Sequence, residues 1–290
     1  MSDADATTAA DPRRDLEVDL LLEAIYARWQ HDFRQYARAS LRRRLEQAMI
    51  ALDCPSLSML QHRVLHEDGA IGRLLPYLTV GVSDLFRDPP FYRALRCTVT
   101  PVLATYPSLK VWVAGCATGE EVYSLAILFA EEGLLDRTIF YATDIDAFAL
   151  RTAEAGIYDL ERAAAMTHAY REAGGTGSLA DYYTAAYGKI AFDRRLRRNM
   201  VFSDHSLATD HVFAEVHLVT CRNVLIYFDR ALQDRAVGLF ADALVRSGFL
   251  ALGAGESLMF TPQRDAFREL DRQWRLYRKD GQKDGRGGPA

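Results

Sequence analysis

The chain has 290 residues, 49% of them hydrophobic, which is enough to fill a sizeable core and excludes disorder throughout. The formal charge of −4 argues against general affinity for nucleic acid. The longest near-continuous apolar runs, at 111–117 and 123–130, fall well short of the roughly 18 residues of a membrane-spanning helix, so no transmembrane segment is expected.

The N-terminal MSDADATTAADPRRD is polar and acidic and lacks the basic start and apolar stretch of a secretory signal, so a cytoplasmic location is expected. Residues 1–14 and 279–290 offer nothing apolar to pack and read as disordered tails. From 15 to 77 the apolar residues recur at helical spacing: Leu16, Leu20, Leu21 and Ile25, then Phe33, Tyr36, Leu41, Leu45 and Met49, then 57–65. This predicts a small all-α domain, closed where two glycines and Pro76 change the pattern.

A second domain over 78–278 alternates short apolar strands with helical periods. KVWVA (110–114), TIFYATD (138–144), VHLVTC (216–221) and GFLALG (248–253) read as strands, with helices between them. That rhythm predicts an α/β fold with a mostly parallel sheet, which binds ligands beyond the carboxyl ends of its strands. The rhythm breaks at about 165–203. There YYTAAYG and KIAFDRRLRRNMVF, meeting at Gly188, predict a small antiparallel insertion with Ile190, Phe192, Leu196, Met200 and Phe202 on one face and Arg195 and Arg197 on the other. The four cysteines form no CxxC pair and have no histidine cluster beside them, so no metal site is expected.

The strongest chemical signal is strand, glycine loop, helix, strand, acid. Gly115 and Gly119 in VWVAGCATGEEVYS allow a tight turn and close approach of a ligand, and Asp144 at the next strand end can accept hydrogen bonds from two ribose hydroxyls. The loop is GxxxG rather than GxGxxG, and Glu120 and Glu121 open its helix, which disfavours a pyrophosphate. A cationic adenosine ligand such as S-adenosylmethionine suits it better; the alternative is a structural turn with solvated glutamates. A second constellation is CRNVLIYFD (221–229), where Arg222, Asn223 and Tyr227 gather at a strand end and either line the ligand cleft or, for Asn223, cap a helix. DPPF (88–91) is like the motif of base-modifying methyltransferases, but it follows SDLFR rather than a buried strand, so Pro89 and Pro90 are read as starting a helix.

Five segments in order, TVGVSDLFRDPPFY (79–92), VWVAGCATGEEVYSLA (111–126), YATDIDAFALRTAEAGIY (141–158), VTCRNVLIYFD (219–229) and GAGESL (253–258), resemble the CheR-type family of chemotaxis-receptor methyltransferases, over about 31–275. The resemblance implies a helical N-terminal domain followed by a Rossmann-like S-adenosylmethionine-dependent methyltransferase domain with a small antiparallel β insertion. It implies cofactor contacts from Ser83, Arg87, Glu120, Asp144, Leu207, Asn223 and Val224, with Gly115 in the loop and S-adenosylhomocysteine as product. Gly81 and Ser206 stand where the family often has asparagine, and those two contacts are weakened.

The implied reaction is methyl transfer to a glutamate carboxylate of a helical chemoreceptor-like protein. A carboxylate is already ionised near pH 7 and needs no general base. Arg87 is the first candidate for orienting it and Tyr227 the second, although Arg87 could instead pair with Asp84 or Asp88. The alternative function is a catalytically weak cofactor-binding sensor or scaffold module. Residues 28–44 carry six arginines against Asp32 alone, and Arg34, Arg38 and Arg42 recur every fourth residue as a stripe on one helix. That stripe is either a solvated face or, as the resemblance implies, the surface that reads the receptor. The edge of the antiparallel insertion could likewise accept a receptor tail as an added strand.

Overall fold

Leucines at helical spacing fold the first part of the chain into four helices, α1 (Pro12–Trp29), α2 (Arg38–Ala51), α3 (Leu57–His66) and α4 (Ala70–Leu78). The computed structural model describes residues 12–79, 81 and 83–280, and the chain divides into two compact units after Val80. Val18, Leu21, Leu22 and Ile25 of α1 and Leu41, Arg44, Leu45 and Ala48 of α2 are buried in the i, i+3, i+4, i+7 pattern of one helix face. Arg44 satisfies its buried guanidinium partly on the Leu78 carbonyl at 2.6 Å. Of the two expected tails, 1–11 and 281–290 lie outside the described residues. Pro12 to Arg14, by contrast, is helical, and Arg14 pairs with Glu46 at 2.7 Å.

The expected single helix carrying Arg34, Arg38 and Arg42 is not formed. Gln30 turns left-handed at φ 61° and ends α1, Phe33 is buried, and α2 begins only at Arg38, so Arg34 lies in the connection.

The second unit opens with α5 (Pro89–Thr98), with two prolines in its first turn as expected, and the short α6 (Thr100–Leu103). It continues with β1 (Leu109–Ala114), α7 (Glu120–Glu131), β2 (Thr138–Asp144), α8 (Ala147–Ala155), β3 (Ile157–Asp159) and α9 (Ala163–Glu172). Next come β4 (Tyr183–Ala186), β5 (Lys189–Phe192), α10 (Arg194–Arg197), β6 (Met200–Asp204), β7 (Val216–Cys221) and α11 (Arg230–Ala243). The chain ends in β8 (Leu244–Leu252), β9 (Phe267–Asp271) and β10 (Leu276–Lys279). Seven strands form a sheet in the order β6-β2-β1-β7-β8-β10-β9. β6, β2, β1, β7 and β8 run parallel, while β10 is antiparallel to β8 and β9. The order reverses between β1 and β7, where Val111 pairs with Leu218, so their carboxyl ends open the crevice of a doubly wound sheet. Trp112, fully buried, donates its indole N–H to Thr143 Oγ1 at 2.9 Å. Among the described residues no helix is long and apolar enough to cross a membrane.

The insertion is a three-stranded antiparallel sheet, β3-β5-β4, rather than a two-stranded one. Tyr187 and Gly188, both left-handed, turn β4 into β5 with Ala186 opposite Lys189. The expected second strand stops at Phe192. Asp193 then accepts the Arg195 N–H at 2.8 Å and caps α10, and residues 200–204 join the main sheet as its parallel edge strand. Arg195 and Arg197 therefore sit on α10 and not on the hairpin, and Arg197 donates to the Glu154 and Ala155 carbonyls at the end of α8. At the far end, Lys279 belongs to β10 rather than to a tail, and its ammonium caps the Ala241 and Leu244 carbonyls at 2.6 and 2.7 Å.

Candidate active site

The chain leaves β1 through a tight curl with Gly115, Ala117 and Gly119 all at positive φ. The curl turns N–H groups inward: Gly115 and Cys116 donate to the Thr143 carbonyl at 2.8 and 2.9 Å, and Ala117 donates to Asp144 Oδ2 at 2.8 Å. Glycine is required at two points. A Cβ on Gly115 would lie 2.5 Å from Val224 Cγ2, and one on Gly119 would lie 2.9 Å from the Ala153 backbone. The first contact brings the loops after β1 and β7 together. Asp144 Oδ1 accepts the Asp146 N–H at 3.0 Å, and burial raises the Asp144 pKa against the pull of these backbone bonds.

After β7, the buried carboxylate of Glu256 gathers the loop. It accepts N–H groups of Gly253 at 2.6 Å, Val224 at 2.9 Å, Asn223 at 3.2 Å and Ile226 at 3.3 Å. This holds Asn223 at φ 61° beside Gly253, where a Cβ would lie 2.8 Å from the Asn223 nitrogen. Burial pushes the Glu256 pKa up, opposed by the same N–H donors. Tyr227 follows in a 3-10 turn and is half-buried. At the end of β6, Asp204 stands opposite Asp144 and the His205 N–H reaches the Asp144 carbonyl at 3.3 Å. Ser206 Oγ accepts the Ala208 N–H at 3.3 Å, and Leu207 is buried.

Segment 83–88 is held on α7 by two arginines. Arg222 does not line an open cleft, as its position in sequence suggested. Its side chain is 2% exposed, lies 4.0 Å over the Phe91 ring, and binds Asp88 at 2.8 Å and Glu121 at 3.2 Å. Arg162 binds Asp84 at 3.1 Å and Glu120 at 2.9 Å. Glu120 is buried, with its second oxygen on the Thr118 hydroxyl at 2.6 Å. Both aspartates that could have paired with Arg87 are thus engaged elsewhere. The exposed Arg87 guanidinium forms no ion pair among the described residues. Gly81 is exposed, with open space where a Cβ would stand. The site residue that sequence reasoning missed is Arg162; Glu121 was read only as an acidic helix start and not as the partner of Arg222, and Glu256 lay inside a quoted motif without a role.

The CheR methyltransferase SAM-binding domain family matches residues 81–276, and the CheR methyltransferase all-alpha domain family matches residues 16–79. The chain belongs to the CheR methyltransferase family. It is 53% identical over 265 residues to Cher3 of Pseudomonas putida, a methyltransferase by name, covering 91% of this chain and 97% of that protein. It is 30% identical over 196 residues to the chemotaxis protein methyltransferase of Listeria monocytogenes, covering 65% and 70%. With chemotaxis protein methyltransferase 2 of Pseudomonas aeruginosa it shares 31% over 189 residues, covering 63% and 65%.

S-adenosyl-L-methionine is accordingly the cofactor of this CheR domain, and the crevice at the carboxyl ends of β1 and β7, with Asp144 of β2 beside it, fits it. Each Asp144 oxygen takes one backbone N–H and keeps a lone pair for a ribose hydroxyl. The two glutamates opening α7 fit a cationic ligand rather than a phosphate.

The candidate receptor-binding arginines of the first unit are all paired. Asp15, Asp19 and Glu23, four residues apart on α1, meet Arg42, Arg38 and Arg34 in turn, and Arg34 also binds Asp32 at 2.8 Å. The stripe is thus half of a charge ladder rather than a bare cationic face.

Proposed function

We propose that the protein transfers the methyl group of S-adenosylmethionine to glutamate side-chain carboxylates of a chemoreceptor-like protein in the cytoplasm, forming methyl esters. The observation that carries this reading is Arg87: a cation without an ion pair among the described residues, on the segment next to the glycine-loop helix, with both neighbouring aspartates occupied by other arginines. Such a cation suits an incoming carboxylate. The relatives named chemotaxis protein methyltransferases support the choice of substrate.

The cofactor supplies a methyl group activated by a sulfonium. The protein's part is alignment and desolvation. Asp144 orients the ribose; Ser83, Glu120, Leu207, Asn223 and Val224, with Gly115 and the weaker Gly81 and Ser206, complete the cofactor shell. Arg87 draws the substrate carboxylate into line, with Tyr227, in the turn after β7, as the second candidate for that role. No proton needs removing from the nucleophile.

Docking through Arg34, Arg38 and Arg42 is an exchange, in which receptor carboxylates replace those of α1. Exposed pairs of this kind are worth about 0–1 kcal/mol each, so the exchange is inexpensive. The exposed edge strand β4 is open to a receptor tail. Radiolabelled methyl transfer to a receptor fragment, with the label released as methanol by base, tests the function. Label that survives base, or no transfer from a cofactor-binding sample, rejects it.

A further inference from the structure

Arg162 and Arg222 grip segment 83–88 in the same manner. Arg162 donates to the Ser83 carbonyl at 2.8 Å and to the carboxylate of the next residue, Asp84, while its other amino group rests on Glu120. Arg222 donates to the Arg87 carbonyl at 3.1 Å and to the carboxylate of the next residue, Asp88, while its other amino group rests on Glu121. Each arginine takes one carbonyl and one following carboxylate, and each is anchored on one of two consecutive glutamates.

Within the segment the backbone is strained. Phe86 and Asp88 are left-handed at φ 54° and 58°, a conformation that costs an ordinary L-residue about 1 kcal/mol or more. Such strain persists where the surroundings over-determine it. The Phe86 N–H adds a bond of 2.7 Å to Ser124 Oγ on α7, and the Phe86 ring is fully buried against Tyr92 and Tyr170. The Arg87 side chain has no ion pair of its own among the described residues, so its backbone sets where it points.

We propose that Arg162 and Arg222 are positioning residues for methyl transfer, with two linked effects. They hold the strained segment that presents Arg87, and they occupy Asp84 and Asp88, the carboxylates that flank Arg87 and would otherwise pair with it. Arg162 lies in the turn directly after β3, so it also ties the small sheet to Ser83 and Glu120.

The inference rests on Arg87 receiving the substrate carboxylate. Arg162→Met should lower kcat/KM for receptor methylation roughly 10- to 100-fold, the scale of a small misplacement of a reacting group. Adding Asp84→Asn should then restore several-fold of that loss, because the freed aspartate can no longer capture Arg87. A double variant no better than Arg162→Met overturns the proposal, since a merely structural arginine would not be rescued by removing its partner. Hydrogen exchange of the amides at 83–87 should quicken in Arg162→Met while the strands of the main sheet stay protected; unchanged exchange also overturns it. Should Arg162→Met fail to fold, Asp88→Asn, which keeps a residue that tolerates positive φ, must loosen the same amides. Arg87→Ala distinguishes the two readings: full activity there rejects the role of Arg87, while the exchange data still report on the grip.

Discussion

The Asp144 carboxylate accepts the Ala117 N–H at 2.8 Å, joining the end of β2 to the glycine loop that follows β1. Burial raises its pKa above the ordinary 3.8, because desolvation disfavours the charged form. Ribose hydroxyls donating to it favour the charged form, so binding should release a proton in mild acid, and affinity should fall as pH drops through the raised pKa. Calorimetry in buffers of different ionisation heat checks this: proton release around the raised pKa and none well above it. Asp144→Asn keeps an acceptor for Ala117 but loses the charge, and should weaken cofactor binding about 10- to 100-fold, the worth of a hydrogen bond to a charged group.

Arg87→Ala removes a cation that forms no ion pair among the described residues. Stability should be nearly unchanged, cofactor affinity should move by less than about threefold, and kcat/KM for the receptor should fall roughly 100-fold, because the contact strengthens as the nucleophile is aligned. Equal losses of cofactor binding and transfer would place Arg87 in the cofactor shell instead.

What could be read in the sequence follows from the range of the interactions involved. The strands β1, β2 and β7 are continuous apolar runs between turn signals, and the GxxxG loop with Asp144 beyond it is a local pattern, so the sheet centre and the crevice were visible. β9 and β10 were not, since FRELD and LYRK are short and polar and become strands only by pairing with β8 and each other. The same holds for α10. Leu196, Met200 and Phe202 fit a strand's alternation, and the Asp193 cap that breaks it is a single hydrogen bond. In the site, the grips of Arg162 and Arg222 span 78 and 134 residues to their aspartates, and nothing local announces them.

Glu256→Gln should test whether one buried carboxylate organises the loop of Asn223 and Val224. Each Glu256 oxygen takes two backbone N–H groups, and an amide would turn its NH2 toward one of these pairs. Two N–H groups left without an acceptor cost about 1–3 kcal/mol each, so thermal unfolding should show a loss of about 3 kcal/mol, with weaker cofactor binding. The wild-type pH dependence has a definite sign. With the folded pKa raised above 4.5, the native state binds more protons than the unfolded chain between those values, so Glu256 makes stability fall as pH rises through that window. In Glu256→Gln this contribution to the slope should vanish.

The charge ladder of the first unit makes an opposite prediction to ordinary surface charge removal. Asp19 pairs with Arg38, with both side chains about half exposed, so Asp19→Asn should shift stability by no more than about 1 kcal/mol. If receptor carboxylates displace those of α1, the substitution removes a competitor and leaves Arg38 free. The KM for an acidic receptor fragment should then drop several-fold at low salt, and the gain should fade once ionic strength shortens the Debye length to about 3 Å near 1 M. Asp15→Asn should act in the same way through Arg42. Arg38→Gln should raise KM and abolish the effect of Asp19→Asn, because Asp19 then has no arginine to withhold from the receptor. A KM indifferent to all three substitutions would leave the ladder as a brace between α1 and α2, with the receptor read elsewhere.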